Sequence, residues 1–476
     1  MNKKQAFNPY LPSWEFVPDG EPHVFNGRVY IYGSHDFYNG DVFCMGDYVC
    51  WSADIHELGD WRYEGVIYGR TDDPANPDGE GCLYAPDVTR GSDGRYYLYY
   101  VLSNIGIVSV AVCDEPAGRY EFLGYVQDAQ GRRIGERPGD EPQFDPGVLT
   151  EGDRTYLYTG FCMRGDKSRH GAMGMLLAPD MLTVMEGPVF VAPGCEYSEG
   201  TGFEGHEYFE AASIRKKDHL YIFVYSSIVM HELCYAYSKA PLEGFQYGGV
   251  LNSNADIGID TYKPAKLPAA YGANNHGSIV CIDGDWYVFY HRHTNGTWFS
   301  RQGCAEKLPL REDGLFGQAE LTSCGLNKGP LAGEGYYPSY LACHLFTNQP
   351  TLYVGGSSAP EYSDGSFPKI VKEGWDGDQN EGYITNMRDH ATAGFKYFDL
   401  SKVSAITLTI RGYAYGTMEI RTKFQGPVVA AVPLHYSNRW SEIDTPVKLP
   451  EGADTLYFTY RGPGSASFKG FTLRQQ

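Results

Sequence analysis

Four carboxylates and a histidine stand at a matched distance ahead of a repeated aromatic strand. Asp19, Asp145, Glu210 and His276 each precede a tyrosine (Tyr30, Tyr156, Tyr221, Tyr287) by 11 residues, and Asp87 precedes Tyr97 by 10. Like charges are not kept close together unless a proton transfer, a ligand or a metal uses them. Paired acids in one site do general acid–base chemistry, one ionised to take a proton and the other protonated to give one. Glu210 has the setting of a proton donor. It lies in Tyr208-Phe209-Glu210-Ala211-Ala212-Ser213, among apolar and small neighbours that raise a carboxyl pKa.

The element that must position these residues is a turn followed by an alternating aromatic strand. It reads Asn26-Gly27-Arg28-Val29-Tyr30-Ile31-Tyr32 and Asp93-Gly94-Arg95-Tyr96-Tyr97-Leu98-Tyr99. It returns as Gly152-Asp153-Arg154-Thr155-Tyr156-Leu157-Tyr158, Lys217-Asp218-His219-Leu220-Tyr221-Ile222-Phe223 and Asp283-Gly284-Asp285-Trp286-Tyr287-Val288-Phe289. Each copy is a hairpin turn feeding a period-2 strand. Five strand-rich units without intervening helix predict an all-β, five-bladed β-propeller, whose innermost strands would aim Asp19, Asp87, Asp145, Glu210 and His276 at one axis.

Composition supports the class. Tyr 39, Gly 58 and Pro 28 favour strands and tight turns. The 476 residues carry 39 Lys+Arg against 59 Asp+Glu, a net charge of −20 that excludes a nucleic-acid or anionic-membrane partner. The 11 cysteines form no CxxC pair, so reduced thiols are expected. The Met1-Asn2-Lys3-Lys4 start lacks an apolar h-region, which gives the expectation of a cytoplasmic protein. His206-Glu207 and His231-Glu232 lack the second histidine of a zinc protease. Asp376, Asp378 and Asn380 alternate like calcium ligands, but the glycine and glutamate of an EF-hand are misplaced. The expected organisation is a propeller over 1–325, a linker or crossover over 326–340, and a jelly-roll-like β-sandwich over 341–476.

The motifs around these acids resemble those of glycoside hydrolase family 43. Asp19-Gly20-Glu21-Pro22-His23-Val24-Phe25 with Tyr30-Ile31-Tyr32-Gly33-Ser34-His35-Asp36 looks like its opening motif. Tyr84-Ala85-Pro86-Asp87-Val88 and Phe209-Glu210-Ala211-Ala212-Ser213-Ile214-Arg215-Lys216 are similar to its second and third acidic motifs. The resemblance implies single-step hydrolysis of a glycoside with inversion. It implies Asp19 as general base on water, Glu210 as general acid on the leaving oxygen, and Asp87 as the residue that tunes and orients Glu210. Where the family has Asp-Pro this chain has Asp19-Gly20, which leaves Glu21 as a rival base. Asp145 is expected to contact substrate. Arg301, in Ser300-Arg301-Gln302, is expected by resemblance to reach the sugar and the base, with a surface ion pair as its bland alternative. His276 would sit on the channel floor, where the family holds a calcium ion or water. Trp298 and Phe37 are expected stacking surfaces.

The 341–476 region resembles carbohydrate-binding module family 6 through Gly382-Tyr383-Ile384-Thr385-Asn386-Met387 and Ala393-Gly394-Phe395-Lys396-Tyr397-Phe398. The likeness implies release of terminal α-L-arabinofuranose from arabinoxylan or its oligosaccharides, with no required cofactor. An exo-β-1,4-xylosidase, an arabinanase and a non-catalytic sugar-binding propeller are the competing expectations.

Overall fold

The computed structural model describes residues 4–103, 105–348 and 367–475. The Met1–Lys3 start and the 349–366 stretch of the expected sandwich lie outside the described residues. Among the described residues the chain is β-strand, with three single-turn 3₁₀ segments as its only helices. None of these is long and apolar enough to cross a membrane. The eleven cysteines are free thiols.

Five antiparallel meanders follow one another. The first holds β1 (Glu21–Phe25), β2 (Arg28–Tyr32), β3 (Tyr48–Asp54) and β4 (Arg62–Tyr68). The second holds β5 (Asp87–Arg90), β6 (Tyr96–Tyr100), β7 (Ser109–Cys113) and β8 (Glu121–Tyr125). The third holds β9 (Gly147–Glu151), β10 (Arg154–Thr159), β11 (Gly171–Leu177) and β12 (Val184–Pro193). The fourth holds β13 (Tyr208–Lys217), β14 (Leu220–Ser227), β15 (Glu232–Ser238) and β16 (Gln246–Ser253). The fifth has three strands, β17 (Ile279–Ile282), β18 (Asp285–His293) and β19 (Arg301–Lys307).

The repeated aromatic motif is the second strand of every sheet, and its alternation serves two cores at once. Successive side chains of a strand point to opposite faces. Tyr30 and Tyr32 pack with Leu98 and Tyr100 of the second sheet, while Val29 and Ile31 pack with Val280 and Phe289 of the fifth. Tyr97 and Tyr99 join Leu157 of the third sheet. Tyr156 and Tyr158 join Tyr221 and Phe223 of the fourth, and Ile222 and Val224 join Val288 and Tyr290 of the fifth. Each sheet thus packs on the next, and the fifth packs on the first. The first strands follow the same order, β17 against β1, β1 against β5, β5 against β9 and β9 against β13.

The three-stranded fifth sheet is completed by the N-terminal segment. Asn8 Nδ2 donates to the carbonyls of Ala305 (2.9 Å) and Thr322 (3.0 Å) and to Glu306 Oε1 (2.8 Å), and Asn8 Oδ1 accepts from the Ala305 amide at 2.9 Å. The side chain lies beside the outer strand and satisfies backbone groups that would otherwise be buried without partners.

Residues beyond 326 build two further sheets. One is ordered Lys369–Val371, Tyr383–Met387, Gly464–Gln475, Val403–Ala414, Ser437–Pro446; the other His344–Phe346, Thr392–Lys396, Thr455–Arg461, Thr417–Arg421, Val428–Pro433. They share one core that includes Ile384, Phe395, Leu408, Phe458 and Phe471. The stretch expected as a linker is not featureless. Gly335–Pro338 is a strand paired with Gly464–Gln475, and Leu331 and Tyr337 are buried in that core. Its Gly, Pro and Tyr content hides a short edge strand whose partner is some 130 residues away in the chain.

Replacing Asn8 by Ala removes its contacts at one buried point and leaves the Ala305 amide and carbonyl without their side-chain partner. We expect a loss of about 3 kcal/mol of unfolding free energy, read by urea denaturation.

Candidate active site

The hairpin register explains which residues meet. Counting six residues back from the last residue before each first turn (Phe25, Gly91, Glu151, Lys217, Ile282) gives Asp19, Ala85, Asp145, Ala211 and His276. These positions form one layer. Asp19, Ala85, Asp145 and His276 all line one open cavity of about 190 Å³. In the fourth sheet the pairing of β13 with β14 slips on either side of Glu210, and Ala211 takes a φ of 65°. This bulge turns Glu210 into the cavity where the layer position itself offers only a methyl group, a common use of bulges beside active sites.

The cavity holds carboxylates of opposite character. Asp19 is buried, and its Oδ1 accepts from Arg301 Nη1 at 2.8 Å while Oδ2 accepts from Ser34 Oγ at 2.5 Å. Burial pushes the Asp19 carboxyl up, but the Arg301 charge, helped by His291 and His276, outweighs it and holds the pKa well below the usual carboxylate range. Arg301 is itself clamped by Asp36, with Nε to Oδ2 at 2.8 Å and Nη2 to Oδ1 at 3.0 Å. Its guanidinium is buried, not part of a surface ion pair. His291 Nδ1 lies 3.2 Å from Asp19 Oδ1, and its Nε2 donates to the Asn274 carbonyl at 2.7 Å.

Glu210 is half-buried at the cavity, and burial together with the Asp19 charge pushes its pKa up to about 8. Asp145 is also raised well above the usual range, by burial and then by the neighbouring Glu210 and Asp19 carboxylates. Its Oδ2 accepts the Ala211 amide at 3.1 Å, which ties it to the backbone beside Glu210. One acid is therefore ionised and the other protonated near neutral pH, facing the same space. Such a division supplies both a general base and a general acid.

The expectation for Asp87 is corrected. It does not line the cavity, and its place in the layer is taken by Ala85 two residues earlier. The turn of the second sheet is one residue longer than that of the first, and Asp87 is counted 10 residues from Tyr97 instead of 11, so the two differences together put it two residues past the layer. By register Asp87 faces Tyr99 as Glu21 faces Tyr32, and these two acids occupy the next layer. Asp87 accepts from His23 Nε2 at 2.6 Å and from the Val148 amide at 2.8 Å. Glu21 accepts from Arg215 Nη2 at 2.5 Å and from Ser213 Oγ at 2.9 Å. Burial and then the Asp87 charge raise Glu21 to about 8, so the pair shares its ionisation around Arg215. Glu21, the rival base, lies outside the cavity.

Trp298 and Phe37 are also placed elsewhere. Trp298 Nε1 donates to the Tyr271 hydroxyl at 2.8 Å and packs with Phe367, and Phe37 lies edge-on to His35. Phe43, Tyr84 and Phe144 are the rings that line the cavity. Ser34 and Asp36 sit inside the opening motif, yet their roles depend on contacts that spacing does not reveal, Ser34 with Asp19 and Asp36 with Arg301. His276 is where the register predicts, 3.9 Å from Asp19 Oδ1 and 3.6 Å from Asp145 Oδ2, and burial lowers it to about 4. Calcium takes six to eight oxygen ligands. A neutral imidazole beside two carboxylates already bonded to Arg301 and the Ala211 amide supplies only part of such a shell, the rest of which would be water.

A cavity with an ionised and a protonated carboxyl, walled by aromatic rings, has the equipment of a glycoside hydrolase. Residues 16–316 match the family described as glycosyl hydrolases family 43. A xylosidase/arabinosidase of Thermoclostridium stercorarium is 62% identical over 99% of both chains. The chain belongs to glycosyl hydrolase family 43. A family 43 arabinoxylan arabinofuranohydrolase from Bacillus subtilis, solved with cellotetraose, matches with a TM-score of 0.53 at 20% identity, over 98% of this chain and 97% of that one. A family 43 β-xylosidase/α-arabinofuranosidase from a compost metagenome, solved with xylotriose, matches with a TM-score of 0.52 at 26% identity, over 67% and 98%.

These charge states dictate a pH profile. With Glu210 as the acid expected to give the proton, kcat/KM is expected to fall as pH rises through about 8, with the limb belonging to the Asp145–Glu210 pair. Asp19 stays ionised well below the usual range and should set no acid limb near its ordinary pKa. Initial rates across pH check both, and an alkaline limb near 5 would contradict the assignment.

Proposed function

We infer that this protein releases terminal α-L-arabinofuranose from arabinoxylan or arabino-xylo-oligosaccharides by a single displacement with inversion. The observation that carries the reading is the pairing of Asp19, kept ionised by Arg301, with Glu210, kept protonated by burial and by Asp19, across one cavity. Asp19 takes a proton from water as the oxygen attacks the anomeric carbon, and Glu210 gives its proton to the departing glycosidic oxygen. Arg301 orients Asp19. Asp145, rather than Asp87, tunes Glu210, since it is the carboxyl anchored beside it through the Ala211 amide.

The architecture belongs to the same reading. The five sheets in cyclic contact are taken as the five blades of a propeller spanning roughly the first 325 residues. The two C-terminal sheets are taken as a β-sandwich of the carbohydrate-binding-module type. The double name of the Thermoclostridium stercorarium relative favours a second reading, an exo-β-xylosidase using the same acids.

A paired assay on aryl α-L-arabinofuranoside and aryl β-D-xyloside separates the two, and NMR of the first-formed sugar should show the inverted anomer. Glu210→Gln should lower turnover roughly a hundredfold or more while sugar binding by calorimetry persists. Unchanged hydrolysis by this variant would remove Glu210 from the mechanism.

A further inference from the structure

The cavity wall formed by Phe43 and Cys44 belongs to the 36–44 loop. Asp36 closes this loop by accepting the Cys44 amide at 3.0 Å, and the same carboxylate clamps Arg301. Cys44 has a φ of 61°, a conformation that a cysteine keeps only where the surroundings impose it. Phe43 lies 4.7 Å from the Arg301 guanidinium and 4.8 Å from the Phe299 ring. The loop therefore shields the Arg301–Asp19 pair on one side.

What imposes the loop's shape comes from the C-terminal part of the chain. The Tyr38 hydroxyl donates to the Lys372 carbonyl at 3.0 Å and accepts the Lys372 amide at 3.0 Å. The Tyr38 amide donates to Asp376 Oδ1 at 2.6 Å. The Lys372 ammonium stands 4.7 Å from the Tyr38 ring, which also stacks on Phe16. A second strap lies alongside, where the Asn295 amide donates to the Ile370 carbonyl at 2.8 Å and its side chain donates to Asn39 Oδ1 at 2.7 Å. Residues 370–376 thus grip two loops, one carrying Asp36, Phe43 and Cys44 and the other leading into Arg301.

We propose that Tyr38 is a positioning residue for the catalytic cavity, through which the C-terminal part sets the wall that seats the sugar. The proposal rests on the hydrolase reading above for its kinetic consequence. Tyr38 touches neither the reacting atoms nor Asp19. Loss of its hydroxyl frees the loop, moves Phe43 off Arg301 and widens the seat, so ground state and transition state are both bound less well.

Tyr38→Phe keeps the ring and removes both Lys372 hydrogen bonds. At a temperature well below unfolding, kcat/KM on the preferred aryl glycoside should fall about 3- to 10-fold, carried by KM, with the alkaline limb unmoved. Alkylation of Cys44 by iodoacetamide, followed by peptide mapping, should quicken by a similar factor as the wall opens. Asp376→Asn keeps an acceptor for the Tyr38 amide and should behave as the unaltered protein, while Asp376→Ala should resemble Tyr38→Phe. A purely structural tie would lower the melting temperature and leave KM and Cys44 labelling alone, and that result overturns the proposal. If the unaltered protein cleaves neither aryl glycoside, the hydrolase reading fails, and Cys44 labelling by itself decides whether Tyr38 holds the wall.

Discussion

The guanidinium of Arg301 is the interaction on which the site depends. Three buried or half-buried acids facing one cavity cannot all be charged, and three neutral ones supply no base. Arg301 breaks the symmetry by bonding Asp19 and leaving Asp145 and Glu210 to burial and mutual repulsion. A buried cation needs its own compensation, which Asp36 provides through two further bonds. The ion group of Asp19, Arg301 and Asp36 is therefore a single unit. Its members come from opposite ends of the five-sheet region, which makes the charge state of the site a property of the closed arrangement and not of any one sheet.

That closure is built from alternation. Each second strand is buried on both faces, so one set of side chains packs toward the preceding sheet and the other toward the following one. Tyrosine suits this role because it fills a large volume and carries a hydroxyl that can satisfy a buried carbonyl at its tip. Tyr99 does so at Met181 and Tyr32 at Pro116. The residues at the start of each first strand inherit their depth from this packing, and chemistry is sorted by layer. Asp19, Asp145, His276 and the bulged Glu210 face the cavity, while Glu21, Asp87 and Arg215 neutralise one another beneath it.

Much of this was legible in the chain. The turn-plus-aromatic phrase marks the second strand of each sheet, and the eleven-residue distance places Asp19, Asp145 and His276 in the layer they occupy. The same arithmetic misplaces Asp87 by two residues, one from the extra residue in the turn before Tyr97 and one from the shorter count of 10. Glu210 is reached by eleven residues because Tyr221 stands one place nearer its turn than Tyr30 does, and the bulge then turns its side chain into the cavity. Trp298 and Phe37 show the limit of reading aromatic side chains. Both have the chemistry of a sugar platform, and neither lines the cavity.

The sequence by itself determined the all-β class, the repeat, the acids available and the excess of negative charge, because these follow from residue type and short-range periodicity. Only the tertiary structure decided which acid is the ionised one, which carboxyl stands beside Glu210, and that the C-terminal part reaches the cavity wall through Tyr38. Those outcomes depend on turn length, a bulge and contacts between residues hundreds of positions apart. Such contacts exist only once the sheets have packed in order.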